Sequence, residues 1–542
     1  MKRRKFIGLG SSAVAGSFLL NGHIANAFQY APFMDDFNCD ATNDRVMVII
    51  QLKGGNDGLN TAIPLGRFDT YANLRPNIYI PNTGPNGIIN LDTSLATEAQ
   101  VGLHPSMTAM KGLYDSGEMG MIQSVGYPDH NRSHFKSTDL WLSGGDGTPE
   151  GFNISDGWMA RYLENAFEPS NFQDPLGVQL GSKNNSLGFH TEEEHTISIN
   201  LTGQDPGGFY SLISGIGAET PLNIPNSDFG DILEHIIQVE NGVNTYAQRI
   251  TDVFNAGQNQ YTSYPDTDLA NQLKTIARLM SGGSQTKVFL ANLGGFDTHR
   301  DQVVDGNTSV GDHAELLLEL SEAIHAFQQD LKLIGIDERV VTFTFSEFGR
   351  KVSQNGNFGT DHGNFAPLFV CGTNINAGVL GVNPNIDDLA DNDQLQDLQF
   401  DYRQVFTTFI QDWMGGSDTI LNSTFYQDFS EDKLPLIKPA AVVAEACYNE
   451  SLGLPEDIIT TKQFAAYPNP FKENLYVELQ SEHSVNCRLQ LYNLEGRTVY
   501  DRQVRLSNSA KTLDLSYLPS GVYVMVAIDG KQLIGKEKVI KN

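Results

Sequence analysis

The chain has 542 residues, enough for two or three domains, and its apolar and charged fractions of 40% and 19% exclude disorder as the main state. Lys and Arg number 36 against 65 Asp and Glu, a formal charge of −29, so the surface repels nucleic acid and anionic membranes and attracts cations. No run beyond the N-terminal segment approaches the roughly 20 apolar residues of a membrane span, so no transmembrane span is expected.

Residues 1–27 read as an export signal to be set apart from the fold. They have a basic start, an apolar stretch from Ile7 to Leu20 and a small-x-small cleavage site at Ala25-Asn26-Ala27. Arg3-Arg4 followed by Lys5-Phe6-Ile7-Gly8 resembles the twin-arginine signal, a route for folded proteins; the alternative is a general signal with two chance arginines. Four scattered cysteines exclude a disulfide scaffold or a cysteine-based zinc site, leaving at most one clasp between Cys39 and Cys447.

The main domain is expected over residues 28–458. Its unbroken apolar runs are the mark of strands buried on both faces: Val46–Leu52, Met119–Val125, Lys287–Leu293, Val340–Phe345 and Pro367–Gly372. Between them, Asp312–Leu333 places Leu317, Leu320, Ile324, Phe327 and Leu331 on one helical stripe. His313, near its start, is a weak ligand candidate, and His325 reads as a surface or boundary residue. Residues 145–285, richer in Gly, Asn, Ser and Asp, read as insertions and helices over the site. Asp401–Gly416, with Val405, Phe409 and Trp413 at four-residue steps, reads as the closing helix. Strands alternating with helices predict an α/β fold, a mostly parallel sheet sandwiched by helices, with the ligand site beyond the carboxyl ends of the strands.

From about residue 459 to 542 the text changes to short alternating strands parted by turn residues, which predicts a small β-sandwich. Tyr467-Pro468-Asn469-Pro470, "LYNLEGR", "LDLSYLPSGVY" and the basic "KEKVIK" end closely resemble the type A C-terminal sorting domain of the Bacteroidetes type IX secretion system. That resemblance implies an address read by the type IX machinery, with the protein secreted or attached to the cell surface. A carbohydrate-binding module is the rival reading.

Three strand ends deliver chemistry to one edge of the sheet: Asp57 after the first run, Asp297 with His299 after the third, and Glu347 after the fourth. Asp361 and His362 follow in "GTDHG". These are oxygen and nitrogen ligands of the kind that hold one or two divalent cations for ester hydrolysis. Ser133, at a probable helix start where backbone amides favour an anion, is a candidate nucleophile, or only a helix cap. His134 beside it is a second catalytic candidate, and Arg132 and Arg350 are candidates to bind an anionic ester.

"GGNDGLN", "LHPSM", "RSHF", "GGFDTH", "SEFGR" and "GTDHG", in that order, resemble domain-of-unknown-function family 1501, of the alkaline phosphatase and sulfatase-like superfamily. The resemblance implies a divalent metal (zinc, calcium or magnesium), a ligand at Asp57, a nucleophile at Ser133 and ligands at Asp297 and His299. The last ligand pair aligns in two ways: Asp361-His362 by identity, or Glu347-Phe348 by topology with His362 as a final ligand. The second is preferred, and Phe348 then leaves one metal site short. The expectation is an exported metal-dependent hydrolase of phosphate or sulfate esters; the alternative is a non-catalytic surface protein with a degenerate site.

Overall fold

The computed structural model describes residues 17–20, 23–26, 44–167, 172–182, 186–190, 198–201, 248–427, 429–443, 464–479, 485–493, 498–529 and 532–542. Arg3, Arg4, Cys39 and Cys447 lie outside these residues, as does the expected domain boundary at 459. The chain divides into two compact units, Met1–Tyr448 and Asn449–Asn542. Among the described residues no helix is long and apolar enough to cross a membrane.

Among the described residues the main unit is built on a nine-stranded sheet: β1 Val46–Lys53, β2 Met119–Gly126, β3 Gly177–Leu180, β4 Ser198–Leu201, β5 Val288–Gly294, β6 Val340–Ser346, β7 Ala366–Cys371, β8 Gly378–Leu380 and β9 Phe400–Asp401. Their order is β8-β2-β7-β6-β1-β5-β3-β4, with β9 also paired to β2. All five apolar runs are strands. Four run parallel, and β7 runs against both of its neighbours. The reason lies in its connection: parallel strands need a crossover, usually a helix, and the loop between β6 and β7 contains none, so the chain turns straight back.

Side chains of β1 alternate between two cores. Val46, Val48, Ile50 and Leu52 pack on one face with α3 (Asp268–Ser281) and α4 (Asp312–Ile334). Met47 and Ile49 pack on the other with α1 (His134–Ser143), α2 (Trp158–Ala166) and α5 (Tyr402–Thr408). The stripe Leu317, Leu320, Ile324, Phe327 and Leu331 on α4 is fully buried. The closing helix is shorter than its periodicity suggests: it passes into a π turn at Phe409–Trp413, and the chain adds α6 (Asp418–Phe425) and the Leu434–Ile437 segment to the same core.

The second unit holds a three-stranded and a four-stranded antiparallel sheet around a core that includes Leu475, Val477, Leu489, Leu491, Met525 and Val539. This is the small β-sandwich that its alternating pattern predicts. Cys371 and Cys487 are buried.

Candidate metal centre

The sheet register brings five chain segments to one edge. Gly294 pairs with Lys53 and Ser346 with Leu52, so β5, β1 and β6 end level with one another. Because β7 is reversed, its start lies at that same edge, as does the end of β2, through the Ala366–Val125 pair. The loops after β1, β2, β5 and β6 therefore meet there. Gly54 and Gly55 make the first turn possible. Both have positive φ, and a Cβ at Gly54 would lie 2.3 Å from the backbone nitrogen of Asp297.

At this edge one ligand atom from each of His134, His362 and Asp297 lies within 4.8 Å of the other two. Asp297 Oδ2 is 3.4 Å from His134 Nε2, and Asp297 Oδ1 is 3.3 Å from His362 Nε2. Ligand bonds of about 2.0–2.1 Å in tetrahedral geometry put neighbouring donor atoms roughly 3.3 Å apart, close to the spacing of the two His–Asp pairs, each of which uses a different carboxylate oxygen. Both imidazoles are held in the matching tautomer. His134 Nδ1–H donates to Glu347 Oε1 at 2.8 Å, and His362 Nδ1–H donates to the carbonyl of Arg132 at 2.8 Å. Each Nε2 lone pair thus faces the carboxylate, the arrangement of metal-bound histidines oriented by an outer hydrogen bond. His134 Nε2 is buried with no hydrogen-bond partner. The three residues fit a divalent metal, and two imidazoles with one carboxylate suit zinc or another transition ion better than calcium or magnesium.

Asp297, 50% exposed, is also fixed from behind. Its Oδ1 accepts from Arg350 Nη2 at 2.7 Å and lies 2.7 Å from His299 Nδ1. Burial raises the Asp297 carboxyl, but Arg350, with help from His299 and His134, outweighs it and holds the group down at about 2. The hydrogen bond to Glu347 raises His134 against the opposing effect of burial, whereas His362 is lowered, chiefly by burial. The Phe348 ring lies beneath both imidazoles, 4.9 Å from His134 and 4.7 Å from His362. It is the apolar floor of the group and offers it no ligand atom.

The other expected site residues stand elsewhere. Asp57 is 0% exposed and pairs through both oxygens with Arg75 Nη1, at 2.8 and 2.6 Å, while Gln302 Nε2 donates to it at 2.6 Å. Burial pushes its carboxyl up and Arg75 more than reverses this. It faces a buried network with His313, His104 and Asn56 rather than the trio. Glu347, 2% exposed, accepts from His134 and from the Gly54 N–H, each at 2.8 Å, and so stands behind His134 rather than within the trio; its Oε2 has no partner among the described residues. Asp361 turns to Lys351 and Asn355. His299 stands beside the trio, its ring 4.6 Å from that of His362.

Ser133 takes the N-cap position of α1 and is exposed, with no side-chain cap bond. Arg132 is exposed and contributes its carbonyl to the centre. Arg350 is fully buried: it donates to the carbonyls of Gly54, Gly55, Phe296 and Thr360 and to Asp297, so no donor is left for a substrate.

Beside the trio lies a cavity of about 480 Å³, bounded by β1, β5, α1 and the Ser182 and Ser186–Leu187 segments. Lys53 and Gln51 line it together with His134, Asp297 and Glu347, and sequence reasoning missed both. A signal was present: the face of β1 that carries Met47 and Ile49 switches from apolar to polar at Gln51 and Lys53.

The main unit is thus an α/β sandwich on a mixed sheet, with a candidate metal centre over its strand ends. Residues 237–423 match the model of the family described as protein of unknown function DUF1501, and residues 465–542 match that of the secretion system C-terminal sorting domain. The first match includes Asp297, His299, Glu347 and His362 but begins after Asp57 and His134. The sorting domain marks the protein for type IX secretion to the cell surface or beyond. Similar solved structures include a protein in the alkaline phosphatase superfamily from Vibrio parahaemolyticus, at 9% identity and TM-score 0.30, covering 87% of this chain and 82% of that one. The PsFucS1 sulfatase from Pseudoalteromonas sp. is 10% identical, with TM-score 0.33, over 87% of this chain and 84% of its own. The lipoteichoic acid synthase LtaP from Listeria monocytogenes is 11% identical, with TM-score 0.28, over 86% of this chain and 89% of its own. No curated protein matches the chain.

Proposed function

We propose that the protein is an exported hydrolase of phosphate or sulfate esters that works with a single divalent transition metal held by His134, His362 and Asp297. The observation that carries this reading is the pair of oriented imidazoles, each with Nδ1–H engaged and Nε2 facing the Asp297 carboxylate. A bound cation supplies Lewis-acid stabilisation of charge developing on the ester. Glu347 and the Arg132 carbonyl fix the imidazole tautomers, and Arg350 keeps Asp297 anionic and in place. Attack is assigned to water rather than Ser133, because Ser133 is exposed and is not among the residues lining the cavity.

The rival is a surface protein that binds without turnover, and the withdrawal of Asp57 onto Arg75 favours it, since an expected ligand is lost to an ion pair. Metal analysis and a panel of phospho- and sulfo-esters decide. The hydrolase reading requires about one metal per chain and an activity abolished in folded His134→Ala and Asp297→Ala. Protein purified without chelators that holds no metal and cleaves no ester would overturn it.

A further inference from the structure

Gln51 and Lys53 are two residues apart on β1 and so leave the same face of the sheet, into the cavity beside the metal centre. Gln51 is almost fully buried, yet its Nε2 has no hydrogen-bond partner among the described residues. Lys53 is half-buried, and its ammonium has no hydrogen bond or ion pair among the described residues. Two donors without acceptors, one of them cationic, face a space large enough for a small ligand. Buried donors are ordinarily paired, and the partner that satisfies a buried amide N–H and an ammonium together is an oxyanion.

The neighbouring charges locate it. Asp139, Asp297 and Glu347 also line the cavity, so an anion is repelled from those walls and favoured where Lys53 and Gln51 project, beside a cation on the trio. Burial already lowers Lys53, which the Glu347 charge opposes, so an incoming anion further favours its charged form. Arg350, an expected anion-binding residue, is fully committed to carbonyls and Asp297.

We propose that Gln51 and Lys53 form the subsite that receives the tetrahedral oxyanion head of the substrate, a role no motif in the chain announces; this rests on the metal-dependent hydrolase reading. The test is calorimetric titration of the metal-loaded full chain with inorganic phosphate and, separately, with sulfate, the two arms telling which oxyanion the subsite prefers. At least one binds the wild type. Lys53→Gln weakens binding by roughly tenfold or more, Gln51→Leu weakens it less, and Lys53→Arg largely retains it. Metal content stays unchanged in all three.

Equal affinity in Lys53→Gln and wild type, or no binding of either anion to wild type, overturns the subsite. So does loss of metal in a folded Lys53→Gln, which would make Lys53 only the counter-charge of Glu347. If Lys53→Gln does not fold, retention in Lys53→Arg with weakening in Gln51→Leu supports the subsite, and any other pattern rejects it. Anion binding that depends on Lys53 in a protein that cleaves no ester would sink the hydrolase reading and leave the subsite standing.

Discussion

Asp57 and Asp297 invite comparison because each follows a buried parallel strand and a glycine pair, with positive φ at Gly54, Gly55 and Gly295, and each strand ends at the same edge of the sheet. Asp57 is sealed under Arg75 and Gln302, while Asp297 stands half in solvent with a guanidinium behind it and two imidazoles before it. Residue type and topological place alone therefore do not put a carboxylate beside the two imidazoles. The difference lies in how much of each carboxylate a permanent cation takes: Arg75 engages both oxygens of Asp57, whereas Arg350 engages only Oδ1 of Asp297 and Oδ2 lies toward His134.

The comparison is broken most forcefully at Asp57. Asp57→Ala leaves the Arg75 charge buried without its partner, and loss of one member of such a pair costs about 3–5 kcal/mol. Guanidinium unfolding of the variant should show a loss of that order, whereas Asp297→Asn, which keeps an acceptor for Arg350, should lose its metal and unfold near the midpoint of the metal-free wild type.

Glu347→Gln sharpens the contrast from the metal side. Removing the charge behind His134 should weaken metal affinity by about 10–100-fold in chelator competition without unfolding the chain. An unchanged affinity would remove Glu347 from the centre.

Acid separates the two regions next. Burial lowers His313 to about 4 and His104 to about 3, both in the network around Asp57. Below about pH 6.5 the unfolded chain binds protons that the folded one refuses, so stability is full above that pH and falls as the pH drops toward 4. Each histidine contributes a loss on the order of 2 kcal/mol at pH 5 relative to pH 7. Denaturant midpoints for wild type and His313→Gln across this range test it: the variant should show the shallower decline.

The smallest effect belongs to Ser133→Ala. Loss of a true nucleophile lowers turnover on the order of a thousandfold or more, so a drop below roughly tenfold on whichever ester the protein cleaves places attack with water.

Most of the main sheet was legible because buried strands leave long apolar runs, and α4 because its stripe is periodic. The direction of β7 was not: an apolar run reads the same whichever way the chain travels, and only the missing crossover between Ser346 and Ala366 reveals it. At the site, Asp297 and His362 could be read from their motifs. His134 was visible only as the neighbour of Ser133, since nothing local shows that Glu347, 213 residues away, fixes its tautomer. The fate of Asp57 was hidden for the same reason: its partner Arg75 lies just beyond a short helix, in text with no chemical motif.

Arg350 touches neither solvent nor any proposed ligand atom other than Asp297 Oδ1, yet it grips carbonyls in three separate loops. It works as a tie-bar, anchored mainly by main-chain carbonyls and by one oxygen of Asp297. A designer could therefore exchange the outward residues of this site for other donors, and the frame that spaces them would survive. Replacing Arg350 with lysine, which lacks the planar fork, would untie all three loops together, however well the ligands themselves were chosen.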